Sequence, residues 1–350
     1  MKAIVYDRYG PPEVLQLRET EKPTPKENEV LISVQSASAS AFDWHVMRGA
    51  PILARMTHGF LRPKDGRMGV DFAGRVEAVG KNVTRFRAGE EVYGERRGSF
   101  AEYLAVPEDA LELKPTNLSF DSAATVPISG ITALQALRDM GHVQPGQTVL
   151  INGAAGGVGT FAVQIAKSFG AEVTGVCSTP NLDLVRSIGA DHVIDYTKTD
   201  FTKDGKRYDL IIDAVGNHTI SEYRRALNPT GTCIVVGFTT MMGMLSILLM
   251  GKIASRAGGM TFALKTKPID SEGLVVLKGM IESGKVVPVI DRRYPLVEVP
   301  EAVRYLEAKH ARGKVVIKIG TDHEAPDPVA PSSPAPARPL DVRPNRALTN

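Results

Sequence analysis

Val149 to Thr160 reads VLINGAAGGVGT, and Ala154, Gly156 and Gly159 stand there at the G-x-G-x-x-G spacing of a phosphate-binding turn. Gly156 lets the backbone approach a pyrophosphate, and Gly159 lets a following helix pack close to its strand. Gly157 adds freedom where alanine replaces the first glycine. The expected cradle is Ala155, Gly156, Gly157, Val158 and Gly159, with the exposed N–H groups and positive end of a helix starting near Gly157 holding the phosphates.

Glycine-rich loops are often only turns, so the flanks decide. Val149 to Ile151 has the β-branched and leucine content of a strand buried on both faces, and Phe161 to Phe169 switches to helical spacing. Glu172 to Ser178 reads as the next parallel strand after a short Gly170-Ala171 connection. Strand, turn, helix and strand together make a dinucleotide-binding unit. At the end of its second strand an NAD site would present an acid to the ribose 2′-OH. Ser178 and Thr179 stand there instead. Hydroxyls can donate to a 2′-phosphate that an acid would repel, so NADPH is the expected cofactor, with NADH possible.

The rest of the chain must position this unit. Its 350 residues suffice for two domains with a sizeable core. A net charge of +3, evenly mixed along the chain, does not point to nucleic acid or an acidic membrane as the main partner. The two cysteines, Cys177 and Cys233, each fall inside an expected strand, which excludes a disulfide framework and a four-thiolate zinc site. Met1 leads straight into strand-like Ile4-Val5-Tyr6 without an apolar leader, so the cytosol is the expected compartment. The apolar run Met241 to Met250 is about half the roughly 20 residues that span a bilayer, so no transmembrane span is expected.

Short strand-like runs separated by Pro and Gly fill the chain to about Ala124: MKAIVY, EVLISVQSASAS, GVDFAGRVEAVG, EEVYGE and FAEYLAVP. Asp121 to Met140 reads as a helical hinge interrupted at Pro127 and Gly130. Strands and helices then alternate through VLIN, EVTGVC, HVIDY, YDLIIDAVG and GTCIVVGF, as in a doubly wound parallel sheet. Helices over 272–283 and 301–309 and a strand over 314–319 return toward the first domain. Met241 to Leu264, Met-rich with glycines at 243, 251, 258 and 259, is read as core, subunit contact or a greasy substrate lid. After Gly320 the Pro-, Ala- and Ser-rich sequence cannot repay the entropy of ordering and is expected to be disordered to residue 350. The expected class is α/β, with a mostly-β domain from 1–124 and 266–320 and a Rossmann domain from 125–265.

Several motifs in order, GVDFAGRVEAVG, GSFAEY, SFDSAATVPISGITALQAL, INGAAGGVGT, VRSIGADHVIDY and KVVPVIDRRYPLVEVPEAVRYLE, resemble the zinc-independent medium-chain dehydrogenases/reductases of the quinone oxidoreductase group, over nearly all of the chain to about Gly320. The resemblance implies a GroES-like catalytic domain and reduction of quinones or α,β-unsaturated carbonyls. In zinc-bearing relatives the first motif opens Gly-His-Glu, and its histidine ligates the metal; here it opens Gly69-Val70-Asp71. Valine cannot bind zinc, the first domain has no cysteine, and its remaining histidines and carboxylates lack compact ligand spacing, so no metal is expected. Without a Lewis acid an alcohol is a poor substrate. An electron-poor small-molecule acceptor needs only hydrogen-bond donors and a proton source as hydride adds to carbon.

The resemblance also implies site residues. Ser38 to Gly49 matches the loop lining the substrate pocket, with Ser40-Ala41 where relatives often carry Asn-Pro. Ser40 and His45 are the candidate donors to a developing oxyanion, although His45 reads equally well as a half-buried histidine with a backbone partner. Asp43 is expected to brace the loop and Phe42 and Trp44 to wall it. Thr132 matches a position near the nicotinamide, against the plainer reading of a helix-start hydroxyl. Gly237 and Phe238 match the backbone that meets the carboxamide, and Tyr196 a position beside the adenosine phosphate. Relatives often carry a basic residue where Pro180-Asn181 stands, which leaves Arg186, Lys198 or Lys314 as more distant helpers. A homodimer is expected. Two rivals remain: a non-catalytic NADPH-binding protein, and a short-chain reductase using Tyr305 and Lys309 as Y-x-x-x-K.

Overall fold

The computed structural model describes residues 1–50, 55–238, 260–264, 271–309 and 311–320. The apolar run Met241 to Met250 and the tail beyond Gly320 lie outside the described residues.

In the first part, β1 (Lys2–Val5) and β2 (Gln16–Glu19) form an antiparallel pair beside a larger sheet. That sheet begins with β3 (Glu29–Ala39), whose Val30, Ile32 and Val34 alternate into one apolar cluster with Phe72, Val76, Val92 and Leu104. Beyond a bulge near Val34 to Ser36, Ala37 and Ala39 pack into a second cluster with Ile4, Tyr6, Met47 and Phe100. Helices α1 (Ala41–Arg48) and α2 (Arg55–His58) follow, then β4 (Asp71–Val79), β5 (Glu91–Glu95), β6 (Tyr103–Pro107) and β7 (Leu111–Leu113). All neighbours from β3 to β7 pair antiparallel.

The expected hinge is two helices, α3 (Phe120–Ala124) and α4 (Pro127–Leu134). Pro127 opens α4, where its missing N–H costs nothing. Gly130 lies inside that helix and does not interrupt it. The alternating part then runs β8 (Thr148–Asn152), α5 (Gly157–Ser168), β9 (Glu172–Cys177), α6 (Leu182–Ser187), β10 (His192–Asp195), β11 (Tyr208–Asp213), α7 (Ile220–Ala226), β12 (Leu227–Val235) and β13 (Thr261–Leu264). All six strands are parallel, in the order β10-β9-β8-β11-β12-β13. This is the doubly wound sheet, with its switch point between β8 and β11.

Two elements differ from expectation. β12 starts at Leu227 rather than Gly231, because a register shift opposite Tyr208 and Leu210 lets the Asn228–Gly231 stretch bulge out of the ladder. Thr261–Leu264, which the sequence merges with the Met-rich run, is a strand on the edge of the sheet.

The chain then forms α8 (Ser271–Glu282) and returns to the first sheet through β14 (Ile290–Pro295), α9 (Val299–Glu307) and β15 (Lys314–Lys318), with β15 pairing antiparallel to β3. The two parts share packing. Tyr93 and Ala73 of the first sheet belong to the same buried cluster as Val149, Phe161 and Leu274, and Tyr93 Oη donates to the Leu274 carbonyl at 2.8 Å. No helix among the described residues is long and apolar enough to cross a membrane.

Candidate active site

Parallel pairing puts the carboxyl ends of the strands along one edge, and most of the expected cofactor residues lie there. Ala155 to Gly159 follow β8 at the switch point, Ser178 and Thr179 follow β9, Tyr196 follows β10, and Gly237 and Phe238 follow β12.

The glycine loop is built as a cradle. A Cβ on Gly159 would stand 2.1 Å from the Gly153 carbonyl oxygen, so only glycine lets α5 sit this close to the loop. A Cβ on Gly156 would meet only that same oxygen, at 3.4 Å, which leaves open space on its outer side where a ligand can approach the backbone. Gly156 caps α5, and the N–H groups of Gly157, Val158 and Gly159 head a helix whose first turn has no internal acceptors for them. The shape and donor set fit a pyrophosphate. The loop is also held from the first sheet, since Gly313, the residue before β15, donates its N–H to the Ala155 carbonyl at 2.8 Å.

At the adenosine end, the Ser178 hydroxyl accepts from the Asn181 amide at 3.1 Å, while the Thr179 hydroxyl donates to Asp195 at 2.6 Å. Thr179 and Thr197 together hold the Asp195 carboxyl down to about 2. Tyr196 is 62% exposed, so its ring is available to a ligand. Of the three distant cations, Lys198 approaches Asp195 at 3.6 Å and Arg186 pairs with Asp183 at 3.0 Å. Lys314 is a correction. It is buried against Asp71, Ser129 and Gly157, and so cannot serve a phosphate at Ser178.

Lys314 instead forms the centre of the junction between the two parts. Its Nζ lies 3.1 Å from Asp71 Oδ2 and 3.1 Å from Ser129 Oγ, and the pair is sealed from solvent. Asp71 also accepts from Ser38 Oγ at 3.1 Å and from the Ile128 N–H at 3.0 Å. Val126, at the N-cap position of α4, offers no side-chain acceptor, so a carboxylate from β4 caps that helix and meets its positive end. Burial pushes the Asp71 carboxyl up, opposed by the Lys314 ammonium and these hydrogen bonds.

Ser40 and Thr132 lie on the helices that adjoin this junction, α1 and α4. Ser40 is the N-cap of α1, in a capping box where Asp43 Oδ2 accepts from Ser40 N at 2.7 Å and Ser40 Oγ at 2.9 Å. Asp43 therefore braces the loop, as expected. Burial pushes its carboxyl up to about 6 against the Ser40 bonds, with the Asp71 and Lys314 charges close enough to act on it. Thr132 is buried well inside α4, one turn beyond Ser129, and is not a helix-start hydroxyl.

His45 lies further along α1, stacked on Trp44 at 3.6 Å with Nδ1 3.2 Å from the Ala50 carbonyl. A carbonyl only accepts, so Nδ1 carries the proton, and burial lowers the ring's pKa against the opposing effect of that hydrogen bond. Neutral His45 thus has no N–H left for a substrate oxygen. Val70 occupies the position where zinc-bearing relatives have a ligand, and among the described residues no group of three His, Cys, Asp or Glu is placed to hold a metal ion.

Asp213, at the end of β11, was not singled out in the sequence. Its fully buried carboxylate accepts from Tyr223 Oη at 2.6 Å, Asn152 Nδ2 at 3.0 Å and the N–H groups of Val215 and Gly216 at 2.7 Å each. The backbone leading to Gly237 is pinned to the same residue, with Val236 N–H on the Asp213 carbonyl at 2.8 Å. Its position at the carboxyl end of a strand beside the switch point was the available signal. Tyr305, by contrast, donates to Asp291 at 2.5 Å and packs with the first-sheet cluster, which gives it a structural place.

An oxidoreductase that joins a GroES-like antiparallel sheet to a parallel dinucleotide-binding sheet is the class this fold and site define. Residues 26–116 match the alcohol dehydrogenase GroES-like domain, and residues 188–317 match the family described as zinc-binding dehydrogenase. The chain is 35% identical to the 2-methylene-furan-3-one reductase of Solanum lycopersicum, covering 91% of this chain and 79% of that one. It is also 35% identical, with the same coverage, to the chloroplastic NADPH-dependent alkenal/one oxidoreductase of Arabidopsis thaliana. The quinone oxidoreductase from Coxiella burnetii superposes with a TM-score of 0.82 at 32% identity, covering 91% of this chain and 99% of that one. The chain belongs to the quinone oxidoreductase group of the medium-chain dehydrogenases/reductases.

Proposed function

We propose that the protein transfers a hydride from NADPH to a quinone or an α,β-unsaturated carbonyl without a catalytic metal. The observation that carries the reading is the open face of Gly156, set beside a buried Asp71–Lys314 junction where zinc-bearing relatives begin their metal site. The bound nicotinamide would supply the hydride. Ala155 to Gly159 would hold the pyrophosphate, Ser178 and Tyr196 the adenosine end, and Gly237 and Phe238 the carboxamide side. The Thr132 hydroxyl would donate to the oxygen that gains charge, and the Ser40 hydroxyl would do so only by turning away from Asp43 Oδ2, to which it donates in the free protein. Because Thr179 already donates to Asp195, the preference for NADPH over NADH is expected to be modest. Among the described residues β13 is the outermost strand of its sheet, which supports a homodimer formed through that edge.

The test mixes the purified protein with NADPH or NADH and follows nicotinamide absorbance with a small quinone, an enal, and a simple alcohol plus NADP. Quinone or enal reduction that a chelator leaves unchanged is the expected result. Alcohol oxidation abolished by the chelator would overturn the reading, and tight NADPH binding with no turnover of any acceptor would favour a non-catalytic role.

A further inference from the structure

The net charge of +3 averages over a strong local imbalance. Between Asp43 and Asp65 the chain has no acidic residue, yet it carries Arg48, Arg55, Arg62 and Lys64. In and beside the same stretch stand some of the most exposed apolar side chains of the fold: Met56 at 68%, Phe60 at 66% and Leu61 at 87%, with Phe42 at 44%. None of the four belongs to an apolar cluster of the described residues.

The exposure has a built support. Gly59 N–H donates to the Arg55 carbonyl at 2.8 Å, and Lys64 N–H returns to the His58 carbonyl at 2.8 Å, which closes residues 59–63 into a loop. Tyr9 Oη donates to the Gly59 carbonyl at 2.6 Å, and the Arg55 guanidinium donates to the Gly49 carbonyl at 3.0 Å and lies over the Tyr9 ring. The base of the loop is thereby fixed to the domain, and Phe60 and Leu61 are held at its tip. Arg62 and Lys64 flank that tip, exposed and without an ion pair among the described residues.

We propose that this loop is a membrane-surface anchor: Phe60 and Leu61 enter the boundary between headgroups and acyl chains of an anionic leaflet, while Arg62 and Lys64 meet its phosphates. Apolar tips ringed by cations bind such surfaces through buried apolar area together with electrostatic attraction. A symmetric contact with a second copy would set these cations against each other with no acid in the patch to pair them. The Phe42 and His58 rings, 6.3 Å apart, connect α2 to the first turn of α1, so docking would bring the rim of the candidate active site to the lipid. The proposal is independent of the hydride-transfer reading, because its readout is lipid binding.

The test is sedimentation of the full chain with vesicles of phosphatidylcholine alone and of phosphatidylcholine mixed with phosphatidylglycerol. Binding is expected to the mixed vesicles and to weaken with added salt. Phe60→Ser with Leu61→Ser should lower the partition coefficient about tenfold or more, and Arg62→Gln or Lys64→Gln by about fivefold each, with thermal unfolding unchanged in all of them. Failure of the unaltered protein to sediment with the mixed vesicles, or sedimentation that the double serine variant leaves unchanged, overturns the proposal. So does a concentration-dependent dimer that the serine variant abolishes in the absence of lipid binding, since that outcome assigns the loop to a protein contact.

Discussion

Asp43 shows how one side chain can serve the local fold at a cost to the whole. It is 2% exposed, and its carboxyl both closes the capping box of α1 and sits near the Asp71 charge. Burial raises it to about 6, against roughly 3.9 in an unfolded chain. Between those values the native state holds the proton more tightly than the unfolded state does. Its contribution therefore favours folding at low pH, falls as pH rises from about 4 to about 6, and stays unfavourable above that by roughly 3 kcal/mol. Asp195 and Asp200 run the other way, each held down to about 2, so the pH profile of the whole protein mixes both signs. Asp43→Asn isolates the one group, because asparagine keeps an acceptor for Ser40 but does not titrate. In urea unfolding at pH 4 and pH 7, stability relative to the unaltered protein should move toward the variant at the higher pH. A difference that is the same at both would show that Asp43 is not buried as a titrating group.

At the scale of elements, the glycine loop was legible because its signals are local. Strand, turn and helix lie within twenty-odd residues, and each states its own periodicity. The same locality exposes two glycines to contrasting tests. Gly159→Ala drives a methyl group to 2.1 Å from the Gly153 oxygen, and α5 must move away from the loop. It should cost about 1–3 kcal/mol of stability as well as cofactor affinity. Gly156→Ala meets nothing closer than 3.4 Å, so thermal unfolding without cofactor should barely change while the Kd for NADPH rises about tenfold, a loss of about 1.4 kcal/mol. Equal effects of the two on both readouts would mean that Gly156 does not face the ligand. Signals that depended on neighbours were less legible. β13 is only four residues long and merges with an apolar run in the sequence, and the early start of β12 follows from a bulge opposite Tyr208 that no periodicity reveals. The reach of Lys314 misled for the same reason, since its partner lies 243 residues away.

For the molecule as a whole, that pair joins the two parts. β15 brings Lys314, with Gly313 just before it, β4 brings Asp71, and together they meet α4 at Ile128 and Ser129 and α5 at Gly157. An ion pair this deeply buried gains little over a well-packed apolar substitute, but removing one partner strands the other's charge. Lys314→Met and Asp71→Asn should each cost about 3–5 kcal/mol of unfolding free energy, and the double variant should cost less than the sum of the two. Since Gly313 also holds the Ala155 carbonyl, a lost pair should loosen the cofactor loop, so surviving Lys314→Met enzyme should show a raised KM for NADPH before its kcat falls. Lys314→Arg, which keeps the charge but not the fit between Asp71 and Ser129, should recover stability more fully than KM. Strictly additive single and double variants, with cofactor binding untouched, would reduce the pair to packing and leave the Gly313–Ala155 bond and the shared core around Tyr93 as what holds the two parts in register.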